Sequence, residues 1–387
     1  MNLTETQSAI KKVLVLVIAL TAFYYAAKFS YLGAKSLYYA ILPPEAVEPA
    51  ASFGPLPRLK MKSITIEGQP SYILDTIDGG LPAFPDRINI YQIISPEPTL
   101  LSERNIKQLA QDLYFTDDYT KNSASEFVWI DGTNNRSMVA NAVTENFTLK
   151  TQLVTLGSAL SNEPTITEED AIDMVTQFIK SKALLDDTDL NSMQTTTVPT
   201  KIILGSLKEE KLDPGQVKMM KVDINRYLNI YKKRGRKNEL VESYPILGPN
   251  PKNSLVSFFV TNQEDVYKFP IINYTYWKFD RENPSDYYLS NIANVWNTIT
   301  QGNGVIAYIK PSNSDYYDYI NNVEVTRIEI RDIYLAYYEP EEYSEDTKFL
   351  QPIYVFEGKF AQPNMGPNDE LGDIVIYYPA VRGDWVQ

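Results

Sequence analysis

The sequence predicts an α+β protein: a transmembrane helix near the start, then repeated units of one helix followed by antiparallel strands. Three observations predict it. Residues 13–27 are apolar but for Thr21, with no Gly or Pro, and a second apolar stretch continues to Ala34 past the single Lys28. Behind them, a helical period is followed by alternating strand-like segments three times over. Finally, a 387-residue chain that is 44% hydrophobic and 12% aromatic has enough apolar material for real cores.

The apolar run sets the first expectation. A membrane span needs about 20 mostly apolar residues, and residues 13–34 reach that length if Lys28 snorkels at an interface. Tyr24, Tyr25, Tyr31, Tyr38 and Tyr39 crowd the second half, as at a bilayer boundary, and Pro43-Pro44 closes the element. The expected plan is a cytoplasmic tail over residues 1–12, an anchor helix over 13–42 and a Pro/Ala-rich stalk over 45–57. A cleaved signal peptide would need a small-x-small site, which Leu32-Gly33-Ala34 matches poorly, and a buried core helix is the other rival. Lys11 and Lys12 before the span place the body outside the cytoplasmic membrane.

The first α+β unit is expected over residues 58–160. Residues 63–67 and 88–91 alternate as strands, and Ser102 is expected to cap a helix with Ile106, Leu109, Leu113 and Tyr114 at helical spacing. The second unit, 161–280, opens on Thr167 as N-cap with Glu168, Glu169 and Asp170 in the first turn. Its stripe is Ala171, Ile172, Val175, Phe178 and Ile179, and strands follow near 196–204, 217–231, 255–261 and 267–279. The third unit, 281–387, carries Ile292, Val295, Trp296 and Ile299 on one helical face, stops at Gly302, and continues in strands.

Two segments carry a resemblance. TITEEDAIDMVTQFIKSKALL, residues 165–185, looks like the opening helix of a PepSY-type domain. VWNTITQGNGVIAYI (295–309), VTRIEIRDIYLAYYEP (325–340) and FLQPIYVFEGKF (349–360) together resemble the membrane-anchored YycI/YycH-like and PepSY-like extracytoplasmic proteins of bacteria. The resemblance covers about half of the body and brings no catalytic residue with it. It implies an interaction module that restrains or scaffolds another envelope protein or peptide.

Missing residue types narrow the chemistry. The chain has no Cys and no His, which removes disulfides, thiolate nucleophiles, Ser-His-Asp triads and HExxH zinc sites. A net charge of −13 argues against a nucleic-acid partner, whose phosphates would need neutralising. No cofactor is implied. What remains for an enzyme is a carboxylate pair, a Ser-Lys dyad, Tyr or an all-oxygen metal site; of these, Asp280, Glu282 and Asp286 beside Tyr276 and Trp277 offer an alternative reading as a glycan hydrolase. A structural subunit of a surface assembly is the third reading.

Other features have a bland reading beside a sharp one. Lys232, Lys233, Arg234, Arg236 and Lys237 form a basic run that would grip an anionic partner, or a solvated hairpin tip with Gly235 at the turn. Tyr316, Tyr317, Tyr319, Tyr337 and Tyr338, among 28 tyrosines, suit an interaction face or ordinary sheet surface. Residues 187–191 place carboxylates as a calcium loop does, but Ser192 and Val198 stand where Gly and Glu are needed. Glu339, Glu341, Glu342, Glu345 and Asp346 form an acidic loop, and Asn135, Asn146 and Asn273 sit in glycosylation sequons.

Overall fold

The structure is a computed structural model describing residues 16–17, 20–21, 23–34, 50–162, 164–209, 217–234, 237–312, 322–366 and 369–387. The chain divides into two units, residues 1–48 and 49–387.

In the first unit, residues 23–34 form a continuous helical stretch, α1. Among the described residues, no helix is long and apolar enough to cross a membrane. The expected single-pass anchor over 13–42 is thereby corrected, and with it the membrane as partner and the extracytoplasmic placement of the body. The tail, residues 1–12, lies outside the described residues.

The second unit is built on β-structure. Among the described residues, seventeen strands join in one mixed sheet, accompanied by a parallel pair of β1 (Ile66–Glu67) and β16 (Val323–Glu324). Two regions can be read from the register. The first is wholly antiparallel. It runs β4 (Thr120–Lys121), β5 (Glu126–Asp131), β6 (Arg136–Asn141), β7 (Phe147–Thr151), β13 (Ile271–Tyr274), β12 (Val256–Thr261), β10 (Met219–Arg234), β8 (Gln194–Ile203), β9 (Ser206–Glu209).

The second region centres on β17 (Arg327–Tyr338), antiparallel to β18 (Phe349–Ala361), which continues to β19 (Gly372–Pro379) and β15 (Val305–Lys310). On its other side β17 takes two parallel neighbours: β2 (Ser71–Leu74) at one end and β11 (Lys237–Leu247) at the other. A smaller ladder of β3 (Arg87–Gln92) and β14 (Ser285–Tyr288) attaches to the start of β18. The long strand β10 belongs to both regions, pairing with β8 and β12 up to Asn225 and with β11 from Arg226 onward.

Repeated helix-plus-sheet units are therefore corrected as well. Strand β7 pairs with β13, and β2 pairs with β17, so segments far apart in the chain share ladders that separate units would keep apart. Residues 50–57, expected as part of a stalk, pack onto the body: Leu56 is buried, its N–H donates to Trp385 O at 2.7 Å, and Phe53 stacks on Phe349.

Helices cover the apolar faces. α2 (Ser102–Asp112) and α4 (Glu168–Ser181) lay Ile106, Leu109, Ala171, Val175 and Ile179 on a core with Trp129, Phe258 and Ile272 from the first region. α6 (Ile292–Thr300) buries Val295 and Ile299 in the second core, where Trp296 stacks on Phe356. Ser102 does not cap α2; it is the first helical residue, and its Oγ accepts from Thr99 N. α4 starts as its residues predict. Thr167 Oγ1 accepts from Asp170 N at 3.1 Å, and three acids fill the first turn. Thr167→Ala is expected to cost about 1 kcal/mol in urea unfolding; an unchanged midpoint would mean the cap is supplied by the acids alone.

Candidate binding groove

Alternation in the first sheet region divides its residues between two faces. Met220, Val222 and Ile224 of β10, Val256, Phe258 and Val260 of β12, and Phe147 and Leu149 of β7 enter the core. The residues between them form the other face. There, register aligns Thr148, Asn273, Ser257 and Asp223 in one cross-strand row, and places Lys221 opposite Phe259 and Phe259 opposite Ile271 in another.

α3 (Leu153–Ala159) covers one end of this outer face. Leu156 packs with Met219, Phe259 and Ile271, helped by Ile202 and Leu207 from the β8–β9 hairpin. The rest remains open as a groove of about 790 Å³, lined by Thr148, Lys150, Ser257, Asn273 and Thr275 among others, with Glu341 and Glu342 contributing from the loop after β17. Asn273 Nδ2 donates to Ser257 Oγ at 3.2 Å.

A buried ion pair supports the floor. Lys221 Nζ sits 2.8 Å from Asp223 Oδ2 and donates to Asn253 Oδ1 at 2.8 Å. Burial pushes the Asp223 carboxyl above its ordinary value, and the neighbouring ammonium offsets only part of that. Its Oδ1 has no hydrogen-bond partner among the described residues. The groove therefore offers neutral hydroxyl and amide groups, an apolar patch at one end, the exposed Lys150 and the exposed carboxylates of Glu341 and Glu342. It is suited to holding a ligand's amides by paired donors and acceptors.

Beyond the groove, where β10 passes from one region to the other, stands a buried charge network. Arg226 Nη2 lies 2.8 Å from Asp189 Oδ2 of α5 (Asp187–Ser192), and Nη1 meets Glu339 Oε1 at the end of β17. Arg226 Nη2 also donates to Trp277 O, Tyr276 OH donates to Asp189 Oδ2, and Arg281 Nη2 pairs with Asp189 Oδ1. Burial would raise the Asp189 carboxyl, but the Arg226 and Arg281 guanidiniums outweigh it and hold it low. Glu339 goes the other way: burial pushes it up and Arg226 only partly compensates. Every polar contact here is internal, so the network ties the two regions together.

The residues singled out in the sequence are scattered. Lys232 is exposed on β10; Lys233, Arg234 and Lys237 belong to the β10–β11 hairpin, in which Arg234 pairs with Lys237; Arg236 lies outside the described residues. Tyr316, Tyr317 and Tyr319 also lie outside them. Tyr337 and Tyr338 are core residues and not an exposed face, because β17 is covered on both sides: Tyr337 OH donates to Asn89 O at 2.6 Å, and Tyr338 packs against Tyr377.

The acids proposed for glycan chemistry serve local structure. Asp280 Oδ1 accepts from Glu282 N at 2.9 Å, Asp286 pairs with Arg87 at 3.1 Å, and Tyr276 and Trp277 are buried. Asp189, the centre of the calcium-like pattern, is taken up by the network. Among the described residues, no three carboxylates gather as metal ligands. The groove has no local signal in the sequence, because Thr148, Asn273, Ser257 and Asp223 are brought into one row only by strand pairings distant in the chain.

No family model and no curated protein matches the chain. A solved structure, the crystal structure of an uncharacterized protein from Eubacterium rectale ATCC 33656, aligns with 82% of this chain and 91% of that chain at 11% identity and a TM-score of 0.40.

Proposed function

We propose that the protein is a non-catalytic binding module, regulatory or scaffolding in role, that holds a polypeptide segment in the groove on the outer face of the first sheet region. The observation that carries this reading is the composition of the groove. Thr148, Ser257, Asn273 and Thr275 supply neutral donors and acceptors, next to a partly exposed aliphatic patch at Leu153 and Leu207. Peptide groups need such neutral pairs, and one apolar side chain of the ligand would occupy the patch.

A phosphorylated ligand fits less well, since Lys221 is held by Asp223 and Asn253 and leaves Lys150 as the exposed cation of the lining. A glycan would call for an exposed stacking ring, and Phe259 is buried. The resemblance of residues 165–185 and 295–360 to PepSY-like and YycI-like interaction modules points the same way.

Panning a random decapeptide phage library against the protein tests the reading. Enriched peptides are expected to bind with Kd of about 10–100 μM, and Asn273→Trp, which fills the floor, is expected to weaken them at least about tenfold. Thr148→Trp serves as a second obstruction, with circular dichroism checking that both variants fold. No enrichment, or binding undiminished by both variants, would overturn the proposal.

A further inference from the structure

The outer part of the β10–β11 hairpin offers a second surface. β8 leaves β10 at Asn225, and β17 touches β11 only at Ile246 and Leu247. Among the described residues, no other strand pairs with β10 from Tyr227 to Arg234 or with β11 from Lys237 to Pro245. This length of hairpin thus carries two strand edges whose N–H and C=O groups are not used in a ladder. A bulge between Ile230 and Tyr231 sets Tyr231 opposite Leu240 and leaves Val241 as the extra residue. All three are exposed, Tyr231 to 56%, Leu240 to 51% and Val241 to 44%, though large apolar side chains elsewhere on the sheets are mostly buried. The same hairpin holds Lys232, Lys233, Arg234 and Lys237 in a chain whose net charge is −13.

We infer that this hairpin docks an acidic, extended polypeptide segment by strand addition. Main-chain hydrogen bonds to a free edge supply the register, the Tyr231–Leu240 pair an apolar anchor, and the charge balance of residues 232–242, five cations against Glu239 and Glu242, favours an acidic added strand. An anionic bilayer is the poorer fit. A hairpin that inserts in lipid leads with apolar residues, whereas here the sequence between Tyr231 and Leu240 holds the cations and no large apolar residue. The surface is separate from the groove, so the two proposals stand or fall independently.

The test uses the full chain and a fluorescein-labelled decapeptide of alternating Glu and Val, compared with its Lys-Val counterpart. The acidic peptide is expected to bind, to weaken at about 0.5 M NaCl, and to protect amides of β11 between Lys237 and Pro245 from hydrogen exchange. Lys232→Glu with Arg234→Glu, and separately Tyr231→Ser with Leu240→Ser, are each expected to reduce affinity about tenfold or more. Asn273→Trp is expected to leave it unchanged. Equal binding of both peptides, or indifference to both hairpin variants, overturns the inference. So does binding confined to vesicles of phosphatidylserine and phosphatidylcholine, or self-association of the chain without peptide binding.

Discussion

Arg226→Met is expected to lower the stability of the protein by about 3–5 kcal/mol at neutral pH, the cost of removing one partner from a buried ion pair. Arg226 is buried between Asp189 and Glu339, and its guanidinium also lies 4.4 Å from the Tyr276 ring centroid. Met restores volume but neutralises nothing. Asp189 keeps Arg281, so the uncompensated charge falls chiefly on Glu339.

The pH dependence has a definite sign. In the native protein burial already raises the Glu339 carboxyl, with Arg226 working against it. Without Arg226 the folded-state pKa rises further, so the folded variant holds a proton that the unfolded chain gives up near ~4.3. The variant's stability is then fully present below that value and is lost as pH rises through the raised folded pKa. The deficit relative to wild type is expected to shrink between pH 7 and about pH 5. Denaturant midpoints at the two pH values measure it. A deficit under about 1 kcal/mol, or one that grows on acidification, would show that the network does not hold the two regions together.

Gly358→Ala is expected to cost about 3 kcal/mol, at the upper end for overpacking. β17 bulges at Arg331, between Ile330 and Asp332, directly across from Gly358. A Cβ built at Gly358 would stand 2.1 Å from Glu329 O and 3.0 Å from Ile330 Cα. Both are backbone atoms of the central strand and do not swing aside as a side chain would. Gly383→Ala is the control: no atom lies within 4 Å of its added Cβ, and its effect should stay within about 0.5 kcal/mol. Equal costs at the two positions would mean that the central pair relaxes freely around the bulge.

Elements that depend on neighbours in the chain were legible. The Thr167 cap, its acidic first turn and the Ala171, Val175, Ile179 stripe become α4 as written. Val295 and Ile299 enter the core from α6, and the basic run lies on a hairpin. Partners distant in sequence were not legible. Period-2 alternation says which residues share a face, but not which strand lies alongside. The parallel contacts of β17 with β2 and β11 and the pairing of β7 with β13 therefore leave no local signal, and the same pattern of helices and strands fits repeated units equally well. The tyrosines failed for a related reason. Tyr337 and Tyr338 fit an exposed face as well as a buried one until β18, β11 and the packing of Tyr91 and Tyr377 are in place.

Arg226 did leave a trace. It interrupts the apolar alternation of Met220, Val222, Ile224, Leu228 and Ile230 in β10, and a guanidinium at such a position calls for buried partners. Its partners Asp189 and Glu339 lie 37 and 113 residues away, beyond the reach of any local pattern.

The amino-acid sequence by itself determined the chemistry this protein lacks, through the absence of His and Cys, and the helices and hairpins whose caps, stripes and turns lie within a few residues. Tertiary structure alone decided the rest: which strands pair, that Arg226 holds two regions together, and that Thr148, Ser257 and Asn273 share one open face. The physical reason is range. Caps and periodicity act along the chain, while burial and charge pairing act through space between residues that the chain keeps far apart.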